Sequence, residues 1–181
     1  MARFVMDVTD EGATAVEVSE RKPASRRRRE RKAALGLRGR PAPLPKAPPR
    51  KRVWLPSFRE EMARLRTLQP GWGRLDCVTL CRDMVVALTG ADPGLWPSGW
   101  DDEASARRVM ARHGFADVGA VLAAVLAEIP PAFARQGDVG TLGGPDGPAG
   151  CIVIGETLAI VRADGLSVTA PRHLLTRAFR V

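Results

Sequence analysis

The stretch that decides the fold is Trp72-Gly73-Arg74-Leu75-Asp76-Cys77-Val78-Thr79-Leu80-Cys81-Arg82-Asp83. It is a glycine-containing turn that leads directly into an apolar, helix-periodic segment, which predicts a helix from about Asp76 to Leu88. Cys77 is therefore expected at a helix N-terminus, where free backbone N–H groups and the helix dipole favour a thiolate. Because the thiolate is the nucleophilic form of cysteine, Cys77 is a candidate catalytic residue.

The composition allows one folded domain with extensions. The chain has 181 residues, of which 45% are hydrophobic and only 5% aromatic, with no tyrosine. This is enough apolar material for a core built mostly from aliphatic side chains. No segment approaches the roughly 18 apolar residues of a membrane span, and no secretory signal is recognisable. We therefore expect a soluble protein made in the cytoplasm, and three cysteines without framework spacing fit a reducing compartment.

The net charge of +8 is concentrated in one stretch. Residues 21–52 carry a net charge of +13, with four consecutive arginines and five prolines between positions 41 and 49. Repelling charges, prolines and few apolar side chains predict a disordered or polyproline-II-like linker. Such an arm can contact nucleic acid or acidic proteins without sequence specificity. The simpler interpretation is a solvated tether, because no aromatic residues are interleaved to stack on bases.

Two further segments flank the linker. Residues 1–20 alternate around an Asp-Glu-Gly turn, which predicts a small β-hairpin. Residues 53–181 are expected to form the folded domain, beginning with four helices at about 58–68, 76–88, 101–112 and 117–129. Five short β-type runs follow at 138–142, 151–154, 158–161, 166–169 and 178–181. Helices followed by an antiparallel sheet predict an α+β fold.

The motifs at these elements resemble a known superfamily. A Trp-Gly-x-x-Asp-Cys helix start with a later Gly-Asp-Val strand start looks like the papain-like cysteine hydrolases of the NlpC type, which cut or handle bacterial cell-wall peptides. Over Leu55 to Val181 the chain is more closely similar to a small family of unassigned function among phage and prophage tail genes. The matching residues are Trp72-Gly73-x-x-Asp76-Cys77, Asp83, Leu88-Thr89-Gly90-x-Asp92-Pro93, Arg135-x-Gly137-Asp138-Val139 and Ala178-Phe179-Arg180-Val181. The resemblance implies a papain-like fold, with helices packed on a small antiparallel sheet.

The resemblance also implies a catalytic site. Cys77 matches the nucleophile and Asp76 matches the acidic residue before it. In NlpC-type enzymes a histidine on the second strand accepts the thiol proton, and the pattern would place it at about Ala149. Because that residue is alanine, the base is expected to be missing. His173, near the chain end, is the candidate substitute, whereas His113 is expected to cap a helix C-terminus.

Tryptophans and the other cysteines leave alternatives open. A groove for peptide or glycan has three candidate residues, which are Trp72, Trp96 and Trp100, although large rings in an aliphatic domain also pack on the core. Cys81 lies one helical turn after Cys77, and a zinc site would use Cys77, Cys81, Cys151 and a histidine as its four ligands. Buried cysteines are more often small hydrophobic residues, so we predict no metal. The glycine-rich turn 143–148 lacks the lysine and the following helix of a phosphate-binding loop, so no cofactor is expected.

Three functions remain open from the sequence. The first is a phage or prophage tail protein with a catalytically degenerate papain-like domain, with tail or tail-tip proteins as partners and incorporation into a phage-like particle. The second is an active cysteine hydrolase of cell-wall peptidoglycan that uses Cys77. The third is a binding module for nucleic acid or an acidic partner, acting through residues 21–52.

Overall fold

The structure, a computed structural model, describes residues 5–6, 15–16, 47–92, 96–144 and 147–181. The chain divides into two units, Met1–Ala42 and Pro43–Val181. In the first unit, strands Val5–Met6 (β1) and Ala15–Val16 (β2) pair antiparallel. The turn predicted between these strands, and residues 21–46 of the predicted linker, lie outside the described residues.

The second unit begins with helices, and four α-helices lie in its described part: Leu55–Thr67 (α1), Cys77–Thr89 (α2), Glu103–Arg112 (α3) and Val118–Val125 (α4). Helix α2 is apolar on more than one side and is largely buried, as its sequence predicts. It ends at Gly90, whose φ of 77° lies in the left-handed region that glycine adopts without strain. No helix among the described residues is long and apolar enough to cross a membrane.

The fourth helix is shorter than predicted. The apolar periodicity predicted a helix to Ile129, but α4 ends at Val125 and Ala127–Ile129 forms a strand, β3. These three residues pair with the C-terminal strand of the chain, with Glu128 opposite Phe179. Pairing with a distant strand therefore overrides the local helical pattern.

Six strands of the second unit form one antiparallel sheet in the order β3-β8-β4-β5-β6-β7. Besides β3, they are Val139–Gly144 (β4), Gly147–Val153 (β5), Thr157–Arg162 (β6), Gly165–Pro171 (β7) and Leu175–Arg180 (β8). Short 3₁₀ helices occupy Pro131–Phe133 and Arg172–Leu174. The part of the chain that the structure describes is thus α+β, with helices first and an antiparallel sheet afterwards, as predicted.

The two faces of the sheet have different neighbours. A row of paired residues crosses four strands and belongs to the main core with the helices: Phe179, Val139, Ile152 and Ala159. Residues one position away form a second apolar cluster, which includes Cys151, Val153 and Ala178. Side chains alternate between the faces of a strand. Even-numbered residues of β5 therefore face the helices, and odd-numbered residues face the second cluster.

The domain starts earlier than the predicted boundary at Val53. Among residues 47–52, which the charge pattern assigned to the linker, the Ala47 N–H donates to the Val125 carbonyl at 2.9 Å. The Arg50 guanidinium donates to Asp138 Oδ1 at 2.8 Å and to the Val181 carbonyl at 3.1 Å. Asp138 is 1% exposed and also accepts the Val181 N–H. A buried carboxylate needs such partners, and Arg50 supplies one from outside the predicted domain.

Candidate functional site

The turn before α2 is fixed by the side chain of Asp76. Asp76 is the N-cap residue, and its Oδ1 accepts the N–H groups of Val78 and Thr79 at 2.9 and 2.8 Å. The Thr79 hydroxyl accepts the Asp76 N–H in return at 2.8 Å, which completes a capping box. Cys77 is consequently held as the first residue of the helix.

The second carboxylate oxygen of Asp76 holds the turn against the core. Asp76 Oδ2 accepts the Gly73 N–H and the Trp100 indole N–H, each at 2.7 Å. Gly73 has a φ of 71°, and a Cβ at this position would lie 2.6 Å from the Trp100 carbonyl oxygen. Glycine is therefore required there. With four donors on its two oxygens, Asp76 acts as a structural anchor of the Cys77 turn.

Cys77 is half-buried and lines a cavity of about 610 Å³. Most of the lining is apolar, and it includes Trp72, Val78, Met110, Phe115, Val118 and Pro148. The charged residues of the lining are Glu103, Arg107 and Asp117, of which Glu103 and Arg107 form an ion pair. The Asp117 carboxylate accepts the Ala120 N–H at 2.8 Å as the N-cap of α4. This size and lining are typical of a small ligand-binding pocket.

The thiol of Cys77 is not held as a thiolate. Burial raises its pKa above the ordinary value of 9.0, and the nearby charge of Asp76 raises it further. Backbone amides of Gly150, Cys77 and Val78 act in the opposite direction without reversing the shift. The helix N-terminus alone favoured a thiolate, but removal of the sulfur from water outweighs that effect. Cys77 is therefore a protonated thiol at neutral pH.

Strand β5 lies directly against the start of α2. A Cβ added to Gly150 would lie 2.3 Å from the Cys77 carbonyl oxygen and 2.9 Å from Cys81 Sγ. Only glycine allows this approach. By the alternation of side chains, the other residue of this part of β5 that faces the helices is Pro148. Ala149 also borders the Cys77 cavity, but it packs with the second cluster. A base on β5 would face Cys77 from position 148, one residue earlier than the pattern suggested, and proline cannot serve.

Neither histidine of the chain lines the Cys77 cavity. His113 is the C-cap residue of α3. Its backbone N–H donates to the Val109 carbonyl, and its imidazole ring stacks on Phe115. His173 is exposed on the 3₁₀ helix Arg172–Leu174 and lines a separate cavity of about 420 Å³ with Glu156. His173 does not line the Cys77 cavity. The structure therefore does not bring the proposed substitute base to the nucleophile.

Of the three tryptophans proposed for a groove, Trp72 lines the cavity and is 45% exposed. Trp96 and Trp100 are buried in the main core, at 8% and 5% exposure, and do not line this cavity. Their role is packing, and Trp100 additionally anchors Asp76. The alternative that large rings cover the core is correct for these two residues.

The remaining cysteines are structural. Cys81 and Cys151 are buried free thiols, and Cys81 Sγ lies 3.7 Å from the Cys151 carbonyl oxygen. Burial raises the pKa of Cys151 to about 12 and that of Cys81 well above 9.0. Within the described ranges, no three His, Cys, Asp or Glu side chains are placed to share a metal ion. The zinc alternative therefore has no cluster to support it there.

Pro148, Gly150 and Arg50 are the site and anchor residues that sequence reasoning missed. Pro148 and Gly150 could have been found from the two-residue repeat of a strand, because they share a face of β5 with the core residue Ile152 and this face must pack on the helices. Arg50 carries no such signal, because it is embedded in a stretch of like charges.

Comparison with known proteins finds a matching family model. No curated protein and no solved structure matches the chain. The matching family model covers residues 49–181, nearly three quarters of the sequence, and begins within the segment that Arg50 ties to the domain. The chain belongs to the family described as a domain of unknown function, DUF6950.

Proposed function

We propose that residues 47–181 form a papain-like domain of the NlpC type that has lost hydrolytic activity and serves as a binding component of a phage or prophage tail. The tail assignment rests on the resemblance described above. The loss of activity rests on the surroundings of Cys77. One observation carries it, namely that the nucleophile position is kept in a cavity whose lining contains no imidazole.

The chemistry of a cysteine hydrolase requires a thiolate and a proton carrier. The carrier accepts the thiol proton before attack and returns it to the leaving group. Positions 148 and 149, where the fold would supply that carrier, are proline and alanine. Glu103 is paired with Arg107, and Asp117 caps α4. Each of these carboxylates already has a partner, and a protonated thiol with no imidazole beside it supports binding better than catalysis.

Hydrolysis is tested with purified full-length protein and muropeptides. We expect no product above the level of a Cys77→Ala variant. Release of product by the natural chain that Cys77→Ala abolishes would overturn the loss of activity and favour the active peptidoglycan hydrolase.

A matched pair of substitutions tests the geometry behind this proposal. In Pro148→His the new imidazole faces Cys77, whereas in Ala149→His it faces the opposite side of the sheet. A nearby imidazolium that lowers the pKa of Cys77 by one unit increases the thiolate fraction about tenfold. We expect iodoacetamide to modify Cys77 about tenfold faster at pH 7 in Pro148→His and at the natural rate in Ala149→His. Equal rates in the two variants would contradict the assigned faces.

The tail association has its own experiment. Mass spectrometry of purified particles should detect peptides from residues 47–181 at a fixed ratio to a structural tail protein. Recovery of the chain only from the soluble lysate would contradict this part of the proposal.

A further inference from the structure

Part of strand β5 has an edge that none of the described strands covers. On one side, β5 pairs with β4 along its length, from Gly144 opposite Gly147 to Val139 opposite Ile152. On the other side, its pairing with β6 is confined to Ile152 and Val153. Residues 147–149 therefore present an edge on the β6 side, and these same residues line the Cys77 cavity.

The direction of the backbone groups on this edge follows from neighbouring hydrogen bonds. The Ile154 N–H donates to the Thr157 carbonyl on the β6 side, and the Val153 N–H donates to the Asp138 carbonyl on the β4 side. The backbone N–H and C=O groups of successive residues point to opposite sides of a strand. The backbone groups of Pro148 and Gly150, like those of Ile154, therefore point toward the β6 side. The Gly150 N–H accordingly faces the Cys77 sulfur, where it acts on the thiol. The Pro148 carbonyl points the same way, along the uncovered part of the edge.

We infer that an extended segment of a partner polypeptide binds along this edge, donates an N–H to the Pro148 carbonyl and places one bulky apolar side chain in the Cys77 cavity. The inference rests on the proposed function in one respect, because it takes the site to bind a chain rather than cleave it. Addition of a strand to an exposed edge is a common mode of peptide recognition, in which pockets beside the edge select side chains. The combination of an edge and an adjoining apolar cavity fits a polypeptide better than a compact small molecule.

Two features define the segment further. Pro148 has no N–H, so the edge offers acceptors at this point and resists indiscriminate pairing with other strands. Among the residues that the structure describes, the charged side chains of the cavity lining are two carboxylates and one guanidinium, which together carry a net charge of −1. Acidic residues beside the apolar side chain are therefore disfavoured, and a neutral or basic segment is expected.

A peptide titration followed by ¹⁵N NMR of the full-length protein tests the inference. The probe is acetyl-Lys-Ala-Leu-Ala-Lys-amide, which we expect to shift the Gly150 amide and the Trp72 indole resonances saturably. Replacement of the leucine by glycine should weaken binding at least about tenfold, because the apolar side chain is lost. N-methylation of the central amide should weaken it several-fold, since the bond to the Pro148 carbonyl is lost. Aspartate in place of lysine should also weaken it.

A pair of variants on one helix locates the binding. Ala111 and Ala104 are both exposed residues of α3, but only Ala111 lines the cavity. We expect Ala111→Trp to abolish the shifts and Ala104→Trp to retain them, with both variants folded by circular dichroism. Equal binding by the two variants would place the peptide elsewhere and overturn the inference.

The other outcomes are also decisive. If the N-methylated peptide binds as tightly as the unmodified peptide, strand pairing is overturned. If free indole saturates the site and the leucine peptide cannot displace it, the site is a small-molecule pocket instead. Shifts that depend on protein concentration alone would replace the partner by a second copy of this chain. Cleavage of the bound peptide would overturn the proposed loss of activity and leave the binding inference standing. Absence of both binding and cleavage would overturn the binding inference alone.

Discussion

Replacement of Gly150 by alanine should be one of the most destabilising single-methyl additions in the domain. The new Cβ would lie 2.3 Å from the Cys77 carbonyl oxygen, a backbone atom that cannot rotate away. Real Cβ contacts essentially never fall below 3.0 Å, so the start of α2 and β5 would have to separate by about 0.7 Å. Overpacking of this kind costs about 1–3 kcal/mol, and the upper end applies because a backbone must move.

Equilibrium unfolding in urea measures this effect directly. We expect the free energy of unfolding to fall by about 3 kcal/mol, which corresponds to a melting temperature lower by roughly 6–12 °C for a domain of this size. Gly143→Ala is the matched control, since its Cβ would meet no atom within 4 Å and its φ is not positive. That variant should stay within about 0.5 kcal/mol of the natural chain. If both variants have the same stability, β5 does not lie against the Cys77 turn as described.

Further predictions concern the buried polar groups and thiols. Asp138→Asn should lower the free energy of unfolding by about 2 kcal/mol in a urea titration, because it weakens the buried ion pair with Arg50. Glu128→Gln, which removes an exposed ion pair with Arg177, should change it by less than about 0.5 kcal/mol. Trp100→Phe should cost about 1–2 kcal/mol, measured by thermal unfolding, because it removes an N–H bonded to a carboxylate. The rate of Cys77 alkylation by iodoacetamide should rise with pH and reach half its maximum above pH 9, because burial raises the pKa of this thiol. A midpoint below pH 8 would contradict the protonated state of Cys77. Folding raises the pKa of Cys151 to about 12. The free energy of unfolding should therefore be highest below pH 9 and fall between pH 9 and 12. The Cys151→Ala variant should show a smaller fall over this range.

The helical half of the domain could largely be predicted from local patterns. Periodic apolar residues, Asp76 as N-cap and Gly90 at the C-terminus define α2 within one or two residues. The pattern failed at Ala127–Ile129, where the deciding interaction comes from a strand fifty residues later in the chain. Local propensity carries no information about such a partner.

The candidate site could be predicted only in part. The position of Cys77 follows from the helix start, but the protonation state of its thiol depends on burial by elements that are distant in sequence. Trp96 and Trp100 were candidates for a groove as well as for core packing, and their burial shows that they pack in the core. His173 was considered because it lies near the chain end, and the sheet order instead places it beside a different cavity.

The attachment of Arg50 has a mechanical consequence. Tension on the backbone from residues before position 47 would first load the hydrogen bond from Ala47 to the Val125 carbonyl at the end of α4. It would next load the bonds that Arg50 makes to Asp138 and to Val181. The Arg50 bonds adjoin the ends of β4 and β8, whereas Lys51, the next residue, donates its backbone N–H to the Leu88 carbonyl near the C-terminal end of α2. The load would therefore be shared by the sheet and by that end of the helix. The turn that holds Cys77 lies at the opposite end of α2 and would be loaded only after these contacts had broken.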